Sequence, residues 1–331
     1  MTTNMKMIFW FSILSGTLIA VSSKSWISVW MGLEINLLAF VSLISNSMNQ
    51  QTSEATLKYF LVQSLASSMF LFWTIFNFMQ SNWFILMTEN LNSTTISIIL
   101  ALKMGAAPFH FWFPPTAEGL SWFNCMILLT WQKVAPLFIL MSFNSFSLVI
   151  LASFSSIIGA VGSLNQSSLR KLMAYSSINH MGWILATMYI NDKLMLTYFI
   201  MYCSLSILVM LMFNYFKLMH INQIQNTNNI LINLILMLNL MSLGGLPPFV
   251  GFMPKWLSLN YLLMYNQFML SLILVLSTLV TLYVYIRLTY SSFNILSTSS
   301  KWFNINLYSP MLIIFSLPSL ISLPIMINFI M

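Results

Sequence analysis

The stretch Leu102-Lys103-Met104-Gly105-Ala106-Ala107-Pro108-Phe109-His110-Phe111-Trp112 sets a lysine, a glycine and a proline inside an apolar run of membrane length. A charge at mid-bilayer costs roughly 2.5–3.5 kcal/mol on insertion scales, and residues that bear this cost line ion or proton paths. A helical proline loses its bond to the carbonyl four residues back. Pro108 is therefore expected to free the Met104 carbonyl, beside Lys103. Bare carbonyls at membrane depth need water or a polar partner. The stretch reads as a broken helix facing a hydrated interior.

The rest of the chain supports that solvent. Of 331 residues, 59% are hydrophobic and only 5% are charged, which excludes a soluble domain. The fold class is an all-α polytopic membrane protein. With about 20 residues per crossing, the apolar runs give eleven spans. They lie near 7–22, 26–45, 57–79, 94–113, 122–141, 145–164, 171–190, 194–216, 229–263, 268–290 and 308–330. The connections are short, with Asn/Ser/Gln clusters over 46–53 and 222–229. Residues 1–331 thus form one membrane domain, with no soluble module. The first span resembles a signal peptide only in its apolarity, since no cleavage site follows it.

The ninth span is the second abnormal one. As one straight helix at 1.5 Å per residue it would run roughly 50 Å. It holds Gly244-Gly245-Leu246-Pro247-Pro248-Phe249-Val250-Gly251-Phe252-Met253-Pro254-Lys255, in which Pro254 is expected to free the Val250 carbonyl near Lys255. Breaks in the fourth span and in the fourth of the next five suggest two five-helix repeats, 7–141 and 145–290. The C-terminal helix 308–330 would be appended to them. Five is odd, so the second repeat would be inverted, as in transporters whose broken helices mark the site.

Glu34 and Lys133 also lie inside apolar runs, so four charges sit at membrane depth: Glu34, Lys103, Lys133 and Lys255. The remaining cations set the topology. Lys6, Lys58, Arg170, Lys171, Lys217, Arg287 and Lys301 fall on the N-terminal side, and only Lys24 and Lys193 on the other. By the positive-inside rule the N-terminus faces the cytoplasm or matrix, and after eleven crossings the C-terminus faces away. The net charge of +7 is topology, and implies no nucleic-acid partner.

Four motifs in order carry a family resemblance. They are Trp30-Met31-Gly32-Leu33-Glu34-Ile35-Asn36, Lys103 to Trp112, Leu169-Arg170-Lys171-Leu172-Met173-Ala174-Tyr175-Ser176-Ser177-Ile178-Asn179-His180-Met181-Gly182, and Ser242 through Lys255. Together they resemble the antiporter-like membrane subunits of respiratory complex I. The resemblance runs from about residue 7 to 290. Bacterial members have fourteen spans and the animal mitochondrial form lacks the first three, which fits eleven here. The resemblance implies the mitochondrial inner membrane, with the N-terminus in the matrix and the C-terminus toward the intermembrane space. It implies proton pumping driven by NADH-to-ubiquinone electron transfer elsewhere. Glu34 matches the family's essential glutamate, Lys103 the lysine of the first broken helix, Lys133 the bridging lysine and Lys255 the exit-side lysine.

His110 and His180 are possible relay groups, each balanced against a structural hydrogen bond. His220 reads as a solvated loop residue. Glu54, Glu89, Glu118, Asp192 and Lys193 read as loop charges, and Tyr175 and Trp131 as packing aromatics. Gly159 and Gly162 read as a close helix contact. Cys125 and Cys203 read as packing residues, and no Cys/His cluster has metal spacing. The chain carries no nucleotide-binding fingerprint and no flavin or metal ligands. NAD, FMN, iron–sulfur clusters and ubiquinone are implied only at the level of the complex. Expected partners are other complex I membrane-arm subunits, including further antiporter-like chains and small membrane subunits, together with lipids. The alternatives are a stand-alone cation/proton antiporter of the same fold and a non-pumping structural membrane subunit. The first would be active without redox partners, and the second has no need of four buried charges.

Overall fold

A backbone with no water beside it must satisfy its own polar groups, and in a single apolar segment only a helix does so. A computed structural model describes residues 3–45, 49–79, 85–143, 145–225 and 230–293. Among these residues every regular element is helical, apart from an isolated antiparallel bridge between Ser168 and His220. The expected eleventh span and Lys301 lie outside the described residues.

The chain divides into two units, Met1–Ser155 and Ser156–Met331. The first holds α1 (Thr3–Ser22), α2 (Trp26–Ile44), α3 (Gln50–Met79), α4 (Ile85–Met104), α5 (Phe113–Gly119), α6 (Trp122–Leu129) and α7 (Trp131–Leu140). Helix α8 (Ser147–Ser163) spans the boundary. The second unit continues with α9 (Leu169–Ile190), α10 (Asp192–Tyr215), α11 (Ile221–Gln225), α12 (Ile230–Gly244), α13 (Phe252–Met264) and α14 (Phe268–Phe293).

Among the described residues six segments are long and apolar enough to cross a membrane: Met5–Ser22, Trp26–Ile44, Gln50–Met79, Trp122–Leu140, Asp192–Tyr215 and Phe268–Tyr290. Their outward faces carry large apolar side chains, among them Phe11, Phe72, Met269, Leu272 and Tyr290, as a hydrocarbon solvent requires. Helix α9 is built differently. It is buried almost throughout from Leu172 to Met188, and its buried face includes Ser176, Ser177, Asn179 and His180. Those polar groups need protein partners, so α9 forms the centre of its unit.

Several loop assignments change. Glu118 belongs to α5, and Glu54 to the first turns of α3. Asp192 and Lys193 open α10, where the Asn191 side chain accepts from the Lys193 N–H at 2.9 Å. The turn expected over 46–53 is helical from Gln50, and that over 222–229 is helical as far as Gln225. Periodicity cannot separate a polar helix end from a loop.

Small residues set the closest helix contacts. A Cβ on Gly159 would meet the Asn179 backbone, and one on Gly162 the Tyr175 ring, so the expected close contact is present. Helices α1 and α2 meet through Gly16 and Gly32. A Cβ on Gly32 would stand 2.6 Å from the Ala20 nitrogen and 2.9 Å from the Gly16 oxygen. These are backbone atoms and cannot rotate away. Gly32→Ala is expected to destabilise the pair by about 1–3 kcal/mol. The check is the thermal midpoint of the detergent-solubilised protein, which should fall for Gly32→Ala.

Candidate functional site

Two helices stop inside the apolar layer, and both stop in the same way. Helix α4 ends at Met104, and Gly105 follows with φ +71°. The Ala106 N–H returns to the Ala101 carbonyl at 3.0 Å and the Gly105 N–H to Leu102 at 3.3 Å. Helix α12 ends at Gly244, and Gly245 has φ +78°. The Leu246 N–H returns to Met241 at 3.4 Å and the Gly245 N–H to Ser242 at 3.1 Å. Each pair is a Schellman stop, which needs a residue free to adopt the left-handed region.

This corrects the expectation built on proline. Pro108 lies beyond the end of α4, so the break is made by Gly105. Pro254 stands in the first turn of α13, where a missing N–H costs nothing, and the Val250 carbonyl accepts from Met253 at 3.1 Å. The freed carbonyls are those of the last helical turns. In the first break the Lys103 carbonyl accepts from Gln63 Nε2 at 2.9 Å, and the Leu102 carbonyl from Trp112 Nε1 at 3.3 Å. In the second the Lys255 ammonium does this work. Its Nζ donates to the Gly244 carbonyl at 2.8 Å and more weakly to Leu243 at 3.4 Å. A cation at a helix C-terminus also opposes the negative end of the macrodipole.

All three lysines are deep. Lys133 is 1% exposed, Lys255 6% and Lys103 7%. Glu34, on α2, is half-buried, and its carboxylate acts electrostatically on Lys103. Lys103 and Lys133 line one cavity in the first unit. Its volume, taken over the positions a water centre can occupy, is about 20 Å³, above the ~10–15 Å³ that one water needs. Its other polar walls are Asn36, Tyr59, Gln63 and Gln132. The Lys133 ammonium lies 5.2 Å from the centroid of the Phe113 ring, a cation–π distance.

The helix that carries Lys133 is a third irregular one. Thr130 separates α6 from α7 with φ −113° and ψ −70°, and its hydroxyl donates to the Met126 carbonyl at 2.7 Å. Pro136 lies inside α7 and denies the Gln132 carbonyl its usual helical partner. In the sequence this span, near 122–141, reads as an ordinary crossing.

In the second unit His180 is buried, and its Nδ1 shares a hydrogen bond of 3.1 Å with the Tyr198 hydroxyl. Asn179 Nδ2 donates to Thr281 Oγ1 at 3.2 Å, across α9 and α14. His110 sits in the first break, where the Pro108 carbonyl accepts from its Nδ1 at 3.2 Å and its ring packs on Phe111. It does not line the lysine cavity. Gln63, Gln132 and Tyr59 were missed as site residues. The available signal was an amide at mid-span, Gln63 and Gln132 each standing in an otherwise apolar stretch. Among the described residues no three His, Cys, Asp or Glu side chains converge.

Residues 23–281 match the family model described as NADH:quinone oxidoreductase/Mrp antiporter, TM. The chain is 52% identical over 308 residues to NADH-ubiquinone oxidoreductase chain 2 of Aedes aegypti, covering 91% of this chain and 90% of that one. It is 50% identical over 301 residues to the protein of that name from Anopheles gambiae, covering 89% and 88%. Its fold is similar to a chain of respiratory complex I from Thermus thermophilus with bound Aureothin, with a TM-score of 0.77 at 22% identity. That match covers 88% of this chain and 71% of the other. A chain of the Mrp complex from Dietzia sp. DQ12-45-1b gives a TM-score of 0.75 at 16% identity, covering 85% and 59%.

Proposed function

The chain belongs to the NADH-ubiquinone oxidoreductase chain 2 family, and from that membership we propose that it is a proton-translocating subunit in the membrane arm of mitochondrial complex I. The observation that carries the proposal is the cavity shared by Lys103 and Lys133, one wall of which is a helix stopped inside the membrane layer. Two lysines that face one polar space can pass a proton through a single water. Packing alone has no use for two buried ammonium groups on one cavity.

The stations have an order. Glu34 and Lys103 form the first station, the carboxylate acting through its field on the buried ammonium. Loss of that field, or the approach of another cation, releases the proton into the cavity, where Lys133 receives it. Lys255 is the station of the second unit and delivers toward the intermembrane space. The proposal includes eleven crossings, two inverted five-helix repeats and an N-terminus in the matrix. NADH oxidation and ubiquinone reduction fall to other subunits, which hold the FMN and iron–sulfur clusters.

The test is the number of protons moved per NADH oxidised by the intact complex in sealed vesicles, parent against variant. Glu34→Gln keeps the size of the side chain and removes the field on Lys103. It is expected to lower coupled turnover roughly three- to tenfold. Unchanged rate and proton yield in Glu34→Gln would make Glu34 a surface acid and remove the first station.

A further inference from the structure

The lysine cavity holds two ammonium donors, Lys103 and Lys133, and its side-chain acceptors are the oxygens of Asn36, Tyr59, Gln63 and Gln132. The Tyr59 hydroxyl donates to Gln132 Oε1 at 3.4 Å. A water between two ammonium groups needs acceptors to receive its own protons, and Gln132, next to Lys133 in the chain, offers two. Its side-chain oxygen keeps one lone pair beyond the bond from Tyr59. Its backbone carbonyl lacks a helical partner because of Pro136, which lines the same cavity.

The Gln132 amide is also held in place. Its Nε2 donates to Asn36 Oδ1 at 3.1 Å. The Tyr59 ring that bonds the other end is itself wedged between Phe40 and Trp112, with centroids 5.2 and 5.8 Å away. An amide has a second useful property. It orients water without binding a proton, whereas a carboxylate in its place would capture one.

We propose that Gln132 is a positioning residue that orients water between Lys103 and Lys133, its amide fixed by Asn36 and Tyr59. The proposal rests on the relay reading of this cavity. It goes beyond that reading by assigning proton passage to a side chain that never holds a proton.

The test uses the intact complex in sealed vesicles, with protons per NADH and turnover measured across a pH range. Gln132→Leu removes the side-chain acceptor and is expected to lower coupled turnover roughly tenfold to a hundredfold, as misplacement of a reacting group does. Gln132→Glu keeps the shape and is expected to trap the proton. Its turnover should be low near neutrality and recover as pH falls, because the protonated carboxyl regains the neutrality of the amide. A merely structural role leaves the pH profile unmoved. Tyr59→Phe removes one oxygen, keeps the ring packing and should lose turnover in the same direction. It serves as the deciding variant where Gln132→Leu does not assemble. Lys103→Met, run in parallel, separates the two readings. Loss of proton output in Lys103→Met with parental output in Gln132→Leu overturns this proposal alone. Parental output in Lys103→Met overturns the relay, and this proposal with it.

Discussion

Lys103→Met is expected to abolish proton movement coupled to NADH oxidation while the complex still assembles. The physical case rests on what the substitution leaves alone. The Lys103 side chain is buried in the last turn of α4. Its tertiary tie is through the backbone, where its carbonyl accepts from Gln63. Methionine has the helix propensity and nearly the length of lysine, so the Gln63 bond and the Gly105 stop both survive. What disappears is the ammonium group that meets the Glu34 field on one side and the cavity on the other. With no group to hold the proton, passage should fall by at least about 10². Lys103→Arg sharpens the result. Arginine keeps the charge but does not release its proton at any working pH. If Lys103 carries the proton, Lys103→Arg fails as Lys103→Met does. If it only sets the field, Lys103→Arg pumps. The measurement is proton yield and NADH oxidation rate in sealed vesicles, with assembly checked on native gels. Full proton yield in Lys103→Met would remove this chain from the pumping path.

The sequence displayed the charges and the breaks, but not how the breaks are made. Glu34, Lys103, Lys133 and Lys255 stand out because the bilayer makes any charge costly, so composition alone exposes them. The stops were assigned to Pro108 and Pro254 because proline has the strongest local rule. The structure gives the work to Gly105 and Gly245, whose positive φ closes a Schellman turn. A glycine in an apolar run reads equally as close packing, the role Gly16, Gly32 and Gly159 do play. Only the conformation tells the two uses apart. Gln63 and Gln132 were illegible as site residues for a different reason. Their meaning lies in contacts 40 and 96 positions distant, to Lys103 and to Asn36, which no local pattern encodes. The distortion at Thr130 was hidden in the same way. A threonine bonding the carbonyl four residues back is common in helices, so the residue type does not announce the irregularity.

Gly245→Ala is expected to disable the second unit's station without touching the lysine itself. A Cβ on Gly245 would lie 2.9 Å from Lys255 Cδ and 3.0 Å from its Nζ. The methyl group and the ammonium compete for one place. The backbone penalty adds to this, since a left-handed conformation with a Cβ costs roughly 1–2 kcal/mol. Lys255 then loses its bonds to the Gly244 and Leu243 carbonyls, which are left bare at the end of α12. A buried carbonyl without a partner costs about 1–3 kcal/mol, so the displaced lysine and the helix end both lose. Proton yield should therefore fall at least roughly tenfold, as a misplaced station would produce. Gly244→Ala provides the contrast. Its Cβ would meet the Tyr285 ring at 3.3 Å and Leu282 at 3.7 Å, and no part of Lys255 comes near it. It should retain most of the proton yield. Gly105→Ala is no strain-only control, because its Cβ would displace Phe113, the ring that faces the Lys133 ammonium. If Gly245 acts only through backbone strain, Gly245→Ala loses stability and does not change protons per NADH in the assembled fraction. If Gly245 acts by keeping open the place of the Lys255 side chain, Gly245→Ala lowers the proton yield of complexes that have assembled. Equal yields in assembled Gly245→Ala and parent complexes would leave Lys255 as a helix cap and nothing more.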